Sequence, residues 1–164
     1  MHQACRIRPF RRSDLPQLQT VASRAFAPVF QSVRRLVGEP MATLAYGTAE
    51  EDQNAHLEAL SSAVEPRDIL VVEVAQKVVG FGHVALDHER KIGEIGINAI
   101  DPMHQGKGYG EKLHSAMLDQ MRAAGMKAAT VGTGADDTHA PARAAYAKVG
   151  FTQQIPSIYL YRAL

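Results

Sequence analysis

The sequence predicts a mixed α/β fold, with a mostly antiparallel central sheet of about six to seven strands flanked by helices. Three observations carry this reading. A β-branched hairpin occupies the middle of the chain, helical and strand patterns alternate after it, and a glycine-rich loop joins one strand directly to one helix. The 164 residues suit one domain, taken as 1–164, and 46% apolar content supplies its core, which excludes two large domains.

The elements follow in order. Cys5 to Phe10 reads as a first strand. Ser13 or Asp14 then caps a helix, with Pro16 in its first turn and Gln17 placed to close a capping box on Asp14. Leu15, Leu18, Ala22, Ala25 and Phe26 form its apolar face. From Ala27 to Asp68 the pattern thins: Pro28 and Gly38-Glu39-Pro40 frame a short helical piece, and Ala49 to Val64 forms a second helix with Leu57 and Leu60 inward.

Ile69 to Val74 and Val78 to Leu86 are the arms of the hairpin, separated by polar Gln76-Lys77. A further strand, Ile92 to Ile100, ends at Asp101-Pro102, where proline stops ladder pairing. Tyr109, Leu113, Met117, Met121 and Ala124 then recur at helical spacing, and Gly125 suits a left-handed C-terminal position. Lys127 to Val131 is the next strand and Ala140 to Val149 the next helix, stopped by Gly150. Phe151 to Gln154 and Ile158 to Arg162 read as a closing hairpin pair around Pro156.

Charge and composition exclude several functions. Eighteen Lys plus Arg against seventeen Asp plus Glu leave +1, so no net field draws the chain to nucleic acid or an anionic membrane. The start, Met1 to Arg8, meets charge before any apolar run, and no stretch of ~20 apolar residues occurs. A cytoplasmic location is the expectation. Cys5 alone makes no internal disulfide and no cysteine-rich zinc site, and His83 and His88 have no third ligand nearby, so no metal is expected. The arginines Arg6, Arg8, Arg11 and Arg12 read as the solvated face of an edge strand.

Gln105-Gly106-Lys107-Gly108-Tyr109-Gly110 lies between a strand and a helix, so its N–H groups face the space beyond a helix N-terminus, where an anion is favoured. A P-loop would need Ser or Thr after Gly-Lys, and a dinucleotide fold would carry its glycines in the first βα unit. Neither pattern is present. The loop is therefore either a plain glycine turn or a diphosphate cradle with Lys107 as counter-charge.

Gln-x-x-Gly-x-Gly between strand and helix, followed one strand later by Ala142-Arg143-Ala144-Ala145-Tyr146-Ala147-Lys148-Val149-Gly150-Phe151, resembles the GNAT family of N-acetyltransferases. The opening Ile7 to Leu15 is similar to the family's first strand and cap, and the likeness is best from Ile69 onward. It implies a bulged strand that splays from its neighbour, so that Asn98, Ala99 and Ile100 pair with the pantetheine arm of acetyl-CoA, the co-substrate. Gln105, Gly106, Lys107, Gly108, Tyr109 and Gly110 would then hold the diphosphate. Many members carry Asn seven residues before the tyrosine, where this chain has His139, a position that contacts the cofactor arm.

Acyl transfer to an amine needs a neutral amine, a stabilised oxyanion and a proton for the leaving thiolate. Tyr146, at the family's tyrosine position, keeps its proton at neutral pH and is assigned as general acid; the plain alternative is a half-buried aromatic with a bonded tip. Glu94 stands four residues before Asn98, so a period of two puts both on one face, and it is assigned as base; the alternative is an exposed strand glutamate. His139 is a base, a cofactor contact or a cap neighbour. Direct transfer in a ternary complex is expected, since no activated nucleophile is evident. Glu94, Asp136 and Asp137, with Glu50, Glu51 and Asp52 at the rim, point to a small cationic amine as acceptor. A homodimer is left open. The competing readings are a non-catalytic acyl-CoA-binding module and a nucleotide-binding protein.

Overall fold

A computed structural model describes residues 5–164. β1 (Cys5–Pro9) leads through a 3-10 turn at Arg12–Asp14 into α1 (Leu15–Val37). The turn is organised by charge. Arg8 is buried, and a buried guanidinium needs a carboxylate: it donates to Asp14 at 2.7 and 3.0 Å and to Glu73 at 2.8 Å. Asp14 also accepts the Arg11 N–H at 2.8 Å. The expected cap on α1 is therefore absent, because the Asp14 carboxylate is already committed. Gln17 closes no capping box; its Oε1 accepts the Val78 N–H at 3.0 Å and ties α1 to the sheet. Arg8 is likewise no part of a solvated face.

α1 runs for 23 residues, straight through Pro28, where the sequence suggested a break. Pro28 removes one N–H bond, but Leu18, Val21 and Ala22 before it and Ser32 after it are buried. Burial on both sides overrides the local preference. α2 (Met41–Tyr46) and α3 (Ala49–Ala63) complete the helical segment, and Leu57 of α3 packs inward as expected.

β2 (Ile69–Val74) and β3 (Lys77–Asp87) pair antiparallel through a two-residue turn, Ala75-Gln76, whose φ values of 49° and 63° give the left-handed geometry that fits strand twist. β4 (Ile92–Ile100) pairs antiparallel with β3; α4 (Tyr109–Ala123) crosses over to β5 (Ala128–Val131), which runs parallel to β4, and α5 (Ala140–Lys148) follows. The sheet order is β1-β2-β3-β4-β5. β2 is buried on both faces, which explains its unbroken apolar run. Leu70, Val72 and Val74 pack with Leu113, Met117 and Met121 of α4, while Ile69 and Val71 pack with Leu18 and Val21 of α1.

Two irregularities shape the site. Gly82 pairs with Asn98 but Val84 pairs with Ile95, so three steps along β4 match two along β3. The extra residue is a bulge around Gly96-Ile97, as the family likeness implies. Second, β5 pairs with β4 only from Ile92 to Ile95. Beyond that point the strands part, and the outer edge of β4 has no strand partner among the described residues.

Residues 151–164 form neither helix nor strand, so among the described residues the sheet has five strands rather than six or seven, and the hairpin around Pro156 is not formed. Alternating apolar residues define a strand's faces, but a strand also needs a neighbour in register. Phe151 packs on the core and Tyr161 meets the Tyr46 hydroxyl of α2, while Ile155, Ile158, Tyr159 and Leu160 stay exposed. Among the described residues no helix is long and apolar enough to cross a membrane.

Candidate active site

Where β4 and β5 part, a cleft of about 570 Å³ opens through the sheet. Asn98, Ala99 and Ile100 form one wall, Phe26 and Val29 of α1 a second, the loop Gln105–Gly110 and His114 of α4 a third, and His139, Pro141 and Ala145 a fourth. Nearly all the expected cofactor residues line this cleft; the Lys107 side chain does not, and donates to the Met103 carbonyl at 3.1 Å.

The loop is shaped by its glycines. Gly106 and Gly108 have φ of 74° and 77°, a conformation that L side chains resist, and a Cβ on either would meet nothing within 4 Å. The space above them is open to a ligand. Gly108 is the N-cap of α4, so the first-turn N–H groups of a 15-residue helix face that space. Asp101 anchors the loop's start: it accepts from Met103 N–H at 2.9 Å and from Arg24 at 3.1 Å. Burial pushes its carboxyl up, but these partners outweigh burial and hold it below its ordinary value. Gln105 ties the loop back to the strand through the Ile100 carbonyl at 3.0 Å. These features fit a diphosphate on backbone amides and an extended arm along β4.

Behind the wall lies a buried polar group. Tyr146, 6% exposed, is reached by Asn98, whose Nδ2 donates to the phenol oxygen at 3.0 Å and to the Gly96 carbonyl at 2.9 Å. His114 Nε2 lies 3.0 Å from Asn98 Oδ1, and the His114 and Tyr146 rings are 4.7 Å apart. Phe151 meets the tyrosine edge-on at 6.0 Å. Burial raises the tyrosine's pKa while the Asn98 bond opposes the rise. Burial also pushes His114 down to about 4, so its ring is neutral near pH 7. His114 escaped the sequence reading. Its one signal is position: it stands three residues before Met117 and seven before Met121, on the buried stripe of α4.

The bulge separates the two expected catalytic residues. Ile95 packs on the α4 side and a Cβ on Gly93 would meet Met121, so Glu94 between them faces the α1 side. Asn98, past the bulge, faces α4 and His114. The period-of-two argument that put Glu94 and Asn98 on one face is thus wrong by one residue. Glu94 is exposed and outside the cleft lining. His83 lies on its side of the sheet, its pKa lowered by burial against the opposing pull of Asp68 and, more weakly, Glu94.

The loop before α5 is tightly built. His139 Nδ1 lies 2.6 Å from Asp136 Oδ2, and Asp136 also accepts from the Thr138 N–H at 2.9 Å and its hydroxyl. Burial opposes ionisation of Asp136, but these bonds prevail and bring its carboxyl down to about 2. Asp136 is therefore spent on its own loop, while Asp137 lines the cleft. Glu50, Glu51 and Asp52 occupy the first turn of α3, where the helix dipole favours them.

A sheet split at its fourth strand, with a glycine loop and a helix N-terminus at the split, defines an acyl-CoA acyltransferase type of fold. The acetyltransferase (GNAT) family model matches residues 30–151, and the chain belongs to that family. Mycothiol acetyltransferase of Corynebacterium glutamicum is 35% identical over 85 residues, 52% of this chain but 28% of that protein's length. The match thus spans little more than a quarter of that relative. IAA acetyltransferase of Azospirillum brasilense is 34% identical over 106 residues, covering 63% of this chain and 67% of its own. A GNAT family acetyltransferase from Brucella melitensis, solved in complex with acetyl-CoA, superposes with a TM-score of 0.62 at 24% identity, over 99% of this chain and 98% of that one.

Proposed function

We propose that the protein transfers an acetyl group from acetyl-CoA to the primary amine of a small cationic acceptor, directly within a ternary complex. The observation that carries this is the juxtaposition of the glycine loop and the unpaired edge of β4 around one cleft, with Tyr146 just behind the wall on Asn98. The loop amides hold the diphosphate, and free groups along Asn98–Ile100 hold the arm that brings the thioester to the wall of Asn98 and His114. Glu94, from the α1 side, takes the amine's proton through water. The amine nitrogen attacks the carbonyl carbon, the C–N bond forms, the C–S bond breaks, and Tyr146 gives its proton to the departing sulfur. His139 stands at the cofactor arm, in the place of the family's asparagine.

Asp137 on the cleft and Glu94 outside it favour a cationic acceptor, a polyamine, amino sugar or lysine-type side chain. The test is a panel of amines, cationic and anionic, assayed for CoA thiol release after calorimetry with acetyl-CoA. Turnover with cationic amines supports the reading. Turnover confined to carboxylate-bearing acceptors overturns the charge assignment, and acetyl-CoA binding without turnover on any amine would leave an acyl-CoA-binding module.

A further inference from the structure

We propose that His114 is a positioning residue for the transfer: it occupies the Asn98 carbonyl oxygen, so that Tyr146 accepts from the Asn98 amide nitrogen and keeps its own proton free for the departing sulfur. The inference rests on the reading of Tyr146 as general acid.

The orientation of the amide follows from its neighbours. The Gly96 carbonyl only accepts, so the Asn98 nitrogen must face it at 2.9 Å. Oδ1 then faces His114, which carries its proton on Nε2 and donates at 3.0 Å. The phenol has two choices at Asn98. It accepts from Nδ2 at 3.0 Å, or donates to Oδ1 at 3.3 Å. Only the first leaves its proton available. While His114 satisfies Oδ1, the longer bond has little to offer the phenol. Without His114, a buried carbonyl oxygen would lack a donor, and the tyrosine proton is the nearest one able to satisfy it.

Packing does not explain a histidine here. The position is 4% exposed on the apolar stripe of α4, and Nδ1 is buried with no partner among the described residues. A leucine would fill the site without stripping an imidazole of water. A residue that costs stability in the core, yet lines the cleft beside Asn98, is accounted for by the bond it makes there.

The test is a kinetic cycle of His114→Leu, Tyr146→Phe and the double variant, with His114→Gln as the conservative replacement whose amide can donate to Oδ1. The expected result for His114→Leu is kcat lowered about tenfold or more, within the range of general acid catalysis, with KM for acetyl-CoA unchanged and thermal stability not reduced. Glutamine is expected to restore most of kcat, and leucine is expected to add nothing in the Tyr146→Phe background. Wild-type kcat in His114→Leu, with Tyr146→Phe impaired, overturns the positioning role alone. Undiminished turnover in Tyr146→Phe overturns the general-acid reading and this inference with it. If leucine does not fold, His114→Met, which also lacks the donor, takes its place under the same criteria.

Discussion

Glu94 lies on the α1 face of the sheet and Tyr146 on the α4 face, beside Asn98 and His114, and the proposed transfer accommodates that. A base that takes the amine's proton and an acid that serves the sulfur act on opposite sides of the carbonyl carbon, so one shared face is not required. Glu94→Gln removes the proton acceptor while keeping size and hydrogen bonding. With a cationic acceptor, kcat/KM is expected to fall about a hundredfold, at the lower end of what a positioned base contributes, while calorimetric binding of acetyl-CoA stays unchanged. Unaltered turnover would take Glu94 out of the mechanism and turn attention to His139. At this scale the placing of the loop residues at the cleft was legible, because the spacing of their glycines is itself the signal. Glu94's face was not, since a one-residue bulge leaves alternation intact on either side of it while exchanging the faces. Nor was the placing of His114, which depends on Asn98 and Tyr146, residues 16 and 32 positions away.

On the proposed reading, the loop and α4 act together as one element for holding the diphosphate. Gly108→Asp is expected to weaken acetyl-CoA binding at least tenfold, by placing a carboxylate at the helix N-terminus where the diphosphate would lie. Gly108→Ala separates charge from conformation: at φ 77° it carries strain of roughly 1–2 kcal/mol, with nothing within 4 Å to collide with. Alanine should lower stability slightly and binding much less than aspartate does. Equal CoA affinity in the aspartate variant and the wild type, by calorimetry, would show that the loop is only a turn. Strands β2 to β4 and helices α4 and α5 were readable because local pattern and burial agree in them. α1 was not, as its continuity through Pro28 comes from packing on both sides. The closing hairpin was misread for a related reason: its alternation is present, yet among the described residues it pairs with no strand.

For the molecule as a whole, the buried groups set how stability responds to acid. His114 has its pKa pushed from 6.5 to about 4 by burial, so between those values the unfolded chain binds a proton that the folded one refuses. Stability is therefore full above pH 6.5 and falls as pH drops toward 4, by about 3 kcal/mol for a displacement of this size. His83, also lowered by burial, adds in the same direction. Asp14, Asp101 and Asp136 behave as depressed carboxyls: burial opposes their charge, but their hydrogen bonds and cationic partners win. Their contribution is present above their ordinary value of 3.8 and is lost as pH falls below it, down to about 2 for Asp136. Two descents are thus expected in a plot of Tm against pH, an upper one from histidine and a lower one from carboxylates. His114→Leu should flatten most of the upper descent, a difference of roughly 10 °C at pH 4 for a chain of this size, and leave the lower one in place. Asp136→Asn should do the reverse. An upper descent undiminished in His114→Leu, beyond the share that His83 supplies, would mean that the His114 imidazole is solvated in the folded protein, and that the polar group behind the cleft wall is open to water.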